Sequence, residues 1–132
     1  MTFAYPWTGL ATIAALLVFV WTGVMVGRAR RRFAVKAPAT SGDPGFDRVF
    51  RTQMNTLEQI VLFLPALWLS AMVFSDRWSA LAGAIWVVGR IVYALAYYTD
   101  AAKRGPGYLL TVVPTFILLI SAAIGILRGV IS

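Results

Sequence analysis

The chain has 132 residues, of which 60% are hydrophobic and only 13% charged, with a net charge of +7 and a mean hydropathy of +0.78. That balance excludes an ordinary water-soluble domain, in which about 25% of residues are charged. With no cysteine and no histidine there is no disulfide, no thiol nucleophile, no thiolate metal site and no imidazole base, so no metal is expected. Any catalysis must use Arg, Tyr, Glu, Asp or Ser, or a reactive group brought in by a cofactor.

In chain order, the first apolar span is Thr8 to Val26, followed by the basic cluster Arg28, Arg30, Arg31, Arg32 and Lys36. No basic region precedes it and no small-residue cleavage signature follows it, so it is expected to be a retained helix and not a signal peptide. Residues Ala37 to Gly45 are rich in Pro, Gly, Ser and Thr and predict an irregular connector. The second helix is expected to begin at Phe46, with Asp47 favourably placed near its amino end, and to include the apolar run Ile60 to Phe74. At ~1.5 Å per residue it reaches ~43 Å and exceeds the ~30 Å hydrocarbon core. Its first turns must therefore project from the membrane or line a wet cavity, and Pro65 is a candidate kink. Ser75 to Ser79 reads as a tight hairpin into the third span, Trp78 to Tyr98; a glycine-rich loop, Gly105-Pro106-Gly107, leads into the fourth, Tyr108 to Leu127.

The runs are continuous and do not alternate, which predicts helices, the form in which an isolated segment satisfies its backbone within lipid. The expected fold is all-α: one integral membrane four-helix bundle over residues 1–132. Lys and Arg flank the first loop (Arg28, Arg30, Arg31, Arg32, Lys36, Arg48, Arg51) and the third (Lys103, Arg104), against Arg77 and Arg128 on the other side. By the positive-inside rule, loops one and three are cytoplasmic and both termini lie outside. These basic residues flank helices and form no free tail, which argues against a nucleic-acid partner.

Two stripes of polar residues interrupt the apolar pattern. Arg51, Asn55 and Glu58 are spaced by four and three and share one face of the second helix, whereas Gln53 is turned away from Arg51. On the third helix Arg90, Tyr93 and Tyr97 recur at three and four, and the same stripe extends to Arg104. Arg90 lies roughly 15 to 20 Å along a helix from its polar flanks Arg77 and Asp100, near bilayer mid-depth. An intramembrane guanidinium marks a functional site and needs a partner, and Glu58, the acidic residue within the apolar spans, is the expected one. Facing one cleft, the stripes would suit a small, polar, mainly anionic ligand entering from the cytoplasm. Singly, each residue has a plainer explanation: arginines snorkel to headgroups, tyrosines form interfacial belts, Asn55 joins helices, and Glu58 with Arg90 makes a structural ion pair. Their joint placement on two stripes is what those explanations leave out.

The segment Arg48-Val-Phe-Arg-Thr-Gln-Met-Asn-Thr-Leu-Glu58, the run Gly89-Arg-Ile-Val-Tyr-Ala-Leu-Ala-Tyr97 and the basic end of the first helix resemble the membrane-associated proteins in eicosanoid and glutathione metabolism (MAPEG). The resemblance extends over essentially the whole chain and is strongest to the microsomal glutathione transferase and leukotriene-forming branch. It implies a homotrimer, with glutathione bound between subunits near the cytoplasmic boundary. Arg51, Asn55, Glu58, Tyr93 and Tyr97 would line the site from one subunit, Arg30 and Gln53 would reach in from the next, and Arg90 would support it from below. Arg104 would stabilise the glutathione thiolate, and Arg31 would lie near the electrophile. A lipid-facing groove would take the second substrate, a lipophilic electrophile or a lipid hydroperoxide.

Gln59 stands where the leukotriene-forming branch has a tyrosine, which removes one implied glutathione contact, and the arginine and serine pair of the prostaglandin-forming branch is not evident after Tyr97. The expectation is a membrane glutathione transferase with glutathione peroxidase activity, in a bacterial inner membrane or the endoplasmic reticulum. A non-catalytic lipid-binding scaffold of the same fold is the alternative, against which the retained Arg51, Asn55, Glu58 and Arg104 speak. A transporter using Glu58 and Arg90 as a relay is a third reading.

Overall fold

The computed structural model describes residues 2–132. Four long helices follow one another: α1 (Pro6–Phe33), α2 (Pro44–Val73), α3 (Asp76–Thr99) and α4 (Gly105–Ile131), with a short 3₁₀ turn, Ala101–Arg104, before α4. All four helical stretches are long and apolar enough to cross a membrane, and the described residues contain no strand. Helix α3 packs against α1, α2 and α4, and α2 also packs against α1 and α4.

Local chemistry sets the helix ends. Pro44 begins α2, where a missing N–H costs nothing, and the Asp43 carboxylate accepts from the Gly45 amide at 2.8 Å. Ser75 caps α3 in the same way, its hydroxyl accepting from the Trp78 amide at 3.2 Å. Helix α1 has no side-chain cap of its own. Its free amides are met from another helix: Asp76 accepts from Thr8 N at 2.9 Å and Trp7 N at 3.2 Å, placing a carboxylate at the positive end of the α1 dipole. At its other end α1 finishes in Arg30, Arg31 and Arg32, the charge that end favours.

Three expected boundaries shift, the first being the start of α2, which takes in Pro44 and Gly45 ahead of Phe46. The hairpin between α2 and α3 is shorter than Ser75 to Ser79, because Ser75 is already the cap and Asp76 the first helical residue. Gly105, Pro106 and Gly107 are not a loop but the first turn of α4, since a proline in a first turn starts a helix without losing a needed hydrogen bond. Helix α2 runs through Pro65 without a break.

The core divides along the bundle. One cluster joins Ala11, Ala15, Ile60, Phe63, Leu67, Trp86 and Leu118, with the Trp86 and Phe63 rings stacked at 4.3 Å and 7°. The other lies at the basic end and joins Val26, Ala29, Val35, Phe46 and Val49. Large apolar side chains such as Leu17, Val20, Val61, Val88, Ile120 and Leu127 point outward. Small residues set the closest approaches, as membrane helices without a hydrophobic drive between them require. A Cβ on Gly89 would come within 2.9 Å of the Leu110 carbonyl carbon, and one on Gly107 would overlap the backbone of Tyr93.

Candidate functional site

Between the two core clusters α2 and α3 carry polar groups against each other. Arg90 is fully buried, and its Nε donates to the Thr56 hydroxyl at 3.0 Å. Thr56 in turn donates to the Thr52 carbonyl at 2.8 Å, so its oxygen is fixed as the acceptor. The guanidinium lies over the Tyr93 ring, 3.8 Å from its centre, a geometry that sets positive charge on the ring's negative face. Tyr93 is buried, and its hydroxyl accepts from Asn55 Nδ2 at 2.7 Å. Gly107 lets the first turn of α4 back directly onto Tyr93, so this phenol is fixed from α2, from its own helix and from α4.

The polar face continues to the basic end of the bundle. The Tyr93 and Tyr97 rings are 5.6 Å apart, and the Arg104 guanidinium lies 5.8 Å from the centre of the Tyr97 ring. Arg104 Nη1 also donates to the Ala101 carbonyl at 2.7 Å. The chain leaves α3 at Asp100 and makes the 3₁₀ turn, yet Arg104 still returns over the Tyr97 face. Arg51 and Glu58 are exposed, and Tyr97 and Asn55 are half-buried. A cavity of about 530 Å³ opens beside Arg104, lined also by Ala102, Gly105 and Tyr108.

The expected Glu58 to Arg90 ion pair does not form. Glu58 is exposed, and neither terminal amino group of Arg90 has a partner. Three helix positions separate Arg90 from Tyr93, which brings the guanidinium onto its own helix's phenol, while the threonine following Asn55 supplies the acceptor on α2. Gln53 is turned to the opposite side, its Nε2 facing α1 at Gly23. Arg30 is held by its own loop: Nη1 donates to the Ala39 carbonyl at 2.7 Å, and the guanidinium lies over Phe46 at 5.0 Å. Arg31 is exposed. The chain therefore brings together Asn55, Arg90, Tyr93, Tyr97 and Arg104, with Arg51 and Glu58 on the same face of α2 as Asn55, and leaves Arg30, Arg31 and Gln53 apart.

Three residues of this region escaped the sequence reading. Arg48 donates from Nε to the Tyr98 carbonyl at 3.1 Å and ties α2 to the end of α3. It precedes Arg51 by three residues, so extending that stripe by one turn finds it. Thr56, the acceptor for Arg90, carries no sequence signal beyond its place one residue after Asn55. Tyr108, as the first residue of an apolar span, reads as an interfacial aromatic until the turn before α4 places it beside Arg104.

Comparison with known proteins covers the same stretch of chain. The sequence profile of the MAPEG family matches residues 8–124. The chain is 43% identical over 121 residues to an uncharacterised protein of Synechocystis sp., covering 92% of this chain and 88% of that one. It is 34% identical over 116 residues to leukotriene C4 synthase of Mus musculus, covering 88% and 77%. With microsomal glutathione S-transferase 2 of Homo sapiens the identity is 34% over 103 residues, covering 78% and 70%.

Proposed function

Because the chain belongs to the MAPEG family of four-helix integral membrane proteins, we propose that it is a glutathione transferase, with glutathione peroxidase activity, assembled as a homotrimer. The observation that carries this reading is the fixed line Asn55–Tyr93–Arg90 continued by Tyr97 and Arg104. Glutathione offers two carboxylates, one ammonium and one thiol. Arg51 takes a carboxylate through charge-assisted hydrogen bonds, and Glu58 takes the ammonium. Asn55 already donates to the Tyr93 oxygen, which leaves the phenolic O–H to donate to the ligand. Arg90 touches nothing outside the bundle and acts by holding Tyr93.

Gln53 faces away from this line within its own subunit, which fits a role across a subunit boundary. Gln53 and Arg30 then complete the neighbouring site, Arg30 once drawn from its bond to Ala39. The loops rich in Lys and Arg face the cytoplasm, both termini lie outside, and glutathione enters from the cytoplasmic side.

Arg104 supplies the chemistry. A thiol has a pKa of about 8.5, and a guanidinium beside it lowers that value, so the sulfur is a thiolate more of the time at cytosolic pH. In transfer, the thiolate sulfur forms a bond to the carbon of a lipophilic electrophile as the leaving group, or the ring oxygen of an epoxide, departs with the electron pair and is neutralised by a proton. Arg31 stands near that electrophile. In peroxidase turnover, two glutathiones reduce a lipid hydroperoxide to its alcohol and water and become a disulfide.

The test is rapid-mixing ultraviolet absorbance of the purified protein with glutathione, which reports bound thiolate directly. A thiolate signal that disappears in Arg104→Ala while glutathione still binds is the expected result. Binding without thiolate in the wild type overturns the activation step, and absence of binding moves the protein to the lipid-binding scaffold reading.

A further inference from the structure

The basic end of α1 holds a second feature, independent of the glutathione reading. Between α1 and α2 there is a groove of about 420 Å³ lined by Met25, Arg28, Ala29, Arg32, Phe33 and Val49. Its floor is apolar: Ala29 and Val49 are buried, and Met25 and Phe33 are half-buried against the core cluster of that end. Its rim is two exposed arginines, Arg28 and Arg32, four residues apart and so on one face of the helix.

The acids that next follow the rim in sequence are engaged at the start of α2. The first acidic residue in the sequence is Asp43, and its carboxylate caps α2. Asp47 accepts from the Gly42 amide at 3.2 Å. Arg30 is occupied by loop carbonyls, which separates it from Arg28 and Arg32. The Arg32 guanidinium lies over the Phe33 ring at 5.1 Å, which holds its charge beside the apolar floor.

We propose that this groove binds one anionic phospholipid of the leaflet at the basic end of α1, its phosphate between Arg28 and Arg32 and an acyl chain along Met25, Ala29 and Val49. Guanidinium forks match phosphate oxygens in pairs, and basic clusters just beyond a membrane helix attract anionic lipids. The groove adds a place for a chain directly below the charge, which a diffuse basic patch lacks. A neutral phospholipid carries an ammonium that opposes the two arginines, so the site discriminates by headgroup charge.

The experiment reconstitutes the full chain in vesicles of mixed phosphatidylcholine and phosphatidylglycerol, re-extracts it in mild detergent, and counts retained lipids by native mass spectrometry. Wild-type protein should retain phosphatidylglycerol, and Arg28→Gln with Arg32→Gln should lower retention on the order of tenfold. Lys36→Gln, a cation of the same cluster outside the groove, should retain wild-type levels. Unchanged helicity by circular dichroism certifies the folding of each variant. Equal loss in Lys36→Gln reduces the effect to general basic attraction and overturns the site. Equal retention of phosphatidylcholine overturns the role of the arginines. Absence of retained lipid, with cross-links between copies at this groove, assigns it to a second copy of the chain and overturns the proposal.

Discussion

Two stacks sit one helical turn apart along α3, the first reaching across to α2 and the second within α3, and they are built from opposite materials. Trp86 lies on Phe63 at 4.3 Å, both fully buried and surrounded by apolar side chains. Arg90 lies on Tyr93 at 3.8 Å, equally buried, with Thr56 and Asn55 bonded to the pair. The first stack gives dispersion and shape, and it costs only the unpartnered Trp86 Nε1. The second carries a charge into a region where charge is expensive, and two of its three nitrogens have no partner. Packing alone explains the first. The second makes sense as a device for fixing one phenol beside Tyr97 and Arg104.

The largest expected effect separates stability from chemistry at the apolar stack. Trp86→Ala should lower stability by about 3 to 5 kcal/mol, the cost of an unfilled core aromatic, while the KM for glutathione stays at the wild-type value. Thermal unfolding in detergent together with steady-state kinetics checks both halves, and a raised KM would show that the two stacks are one unit. Next comes Arg104→Ala, for which turnover should fall on the order of 10²-fold, as when one preorganised donor to a developing anion is removed. Because Arg104 is exposed and bonded only locally, its thermal unfolding should not move. Turnover at the wild-type rate in that variant would remove Arg104 from the chemistry.

The difference between the stacks also explains what was legible in the sequence. Four continuous apolar runs define four helices, and periodicity alone places Arg51, Asn55 and Glu58 on one face and Arg90, Tyr93 and Tyr97 on another. Partnership between helices is another matter, because it depends on rotation and on offsets of one residue. Glu58 and Arg90 looked complementary by charge, but Thr56, buried one residue beyond Asn55, holds the guanidinium instead. Gly105-Pro106-Gly107 has loop composition, and only the close approach of Gly107 to Tyr93 shows why a glycine stands in a helix there. The Arg30 bond to Ala39 depends on the path of an irregular connector, which composition does not specify.

Glu58 sharpens the comparison from the exposed side of the same face. Replacing it with Gln keeps shape and removes the charge that meets an ammonium, and the Kd for glutathione should rise about tenfold, the worth of a charge-assisted hydrogen bond. Equilibrium titration measures it. An unchanged Kd would place the ammonium elsewhere.

The last expected effect is a small one on stability at Arg90, and it is the most direct test of the contrast. Arg90→Met replaces a buried cation by an apolar side chain that reaches the same space. A buried charge that is poorly paired repays little of its desolvation, so its apolar replacement is often neutral or stabilising, and the change here should stay within about 1.5 kcal/mol. The same variant leaves the Thr56 oxygen without its donor from α3 and uncovers the Tyr93 ring. Tyr93 keeps Asn55 but loses the cation that covers its ring, so turnover falls although the fold persists. That pattern, stability kept and chemistry lost, is the reverse of Trp86→Ala. A loss of several kcal/mol in Arg90→Met would instead mean that the guanidinium, through its bond to Thr56, cements α2 to α3.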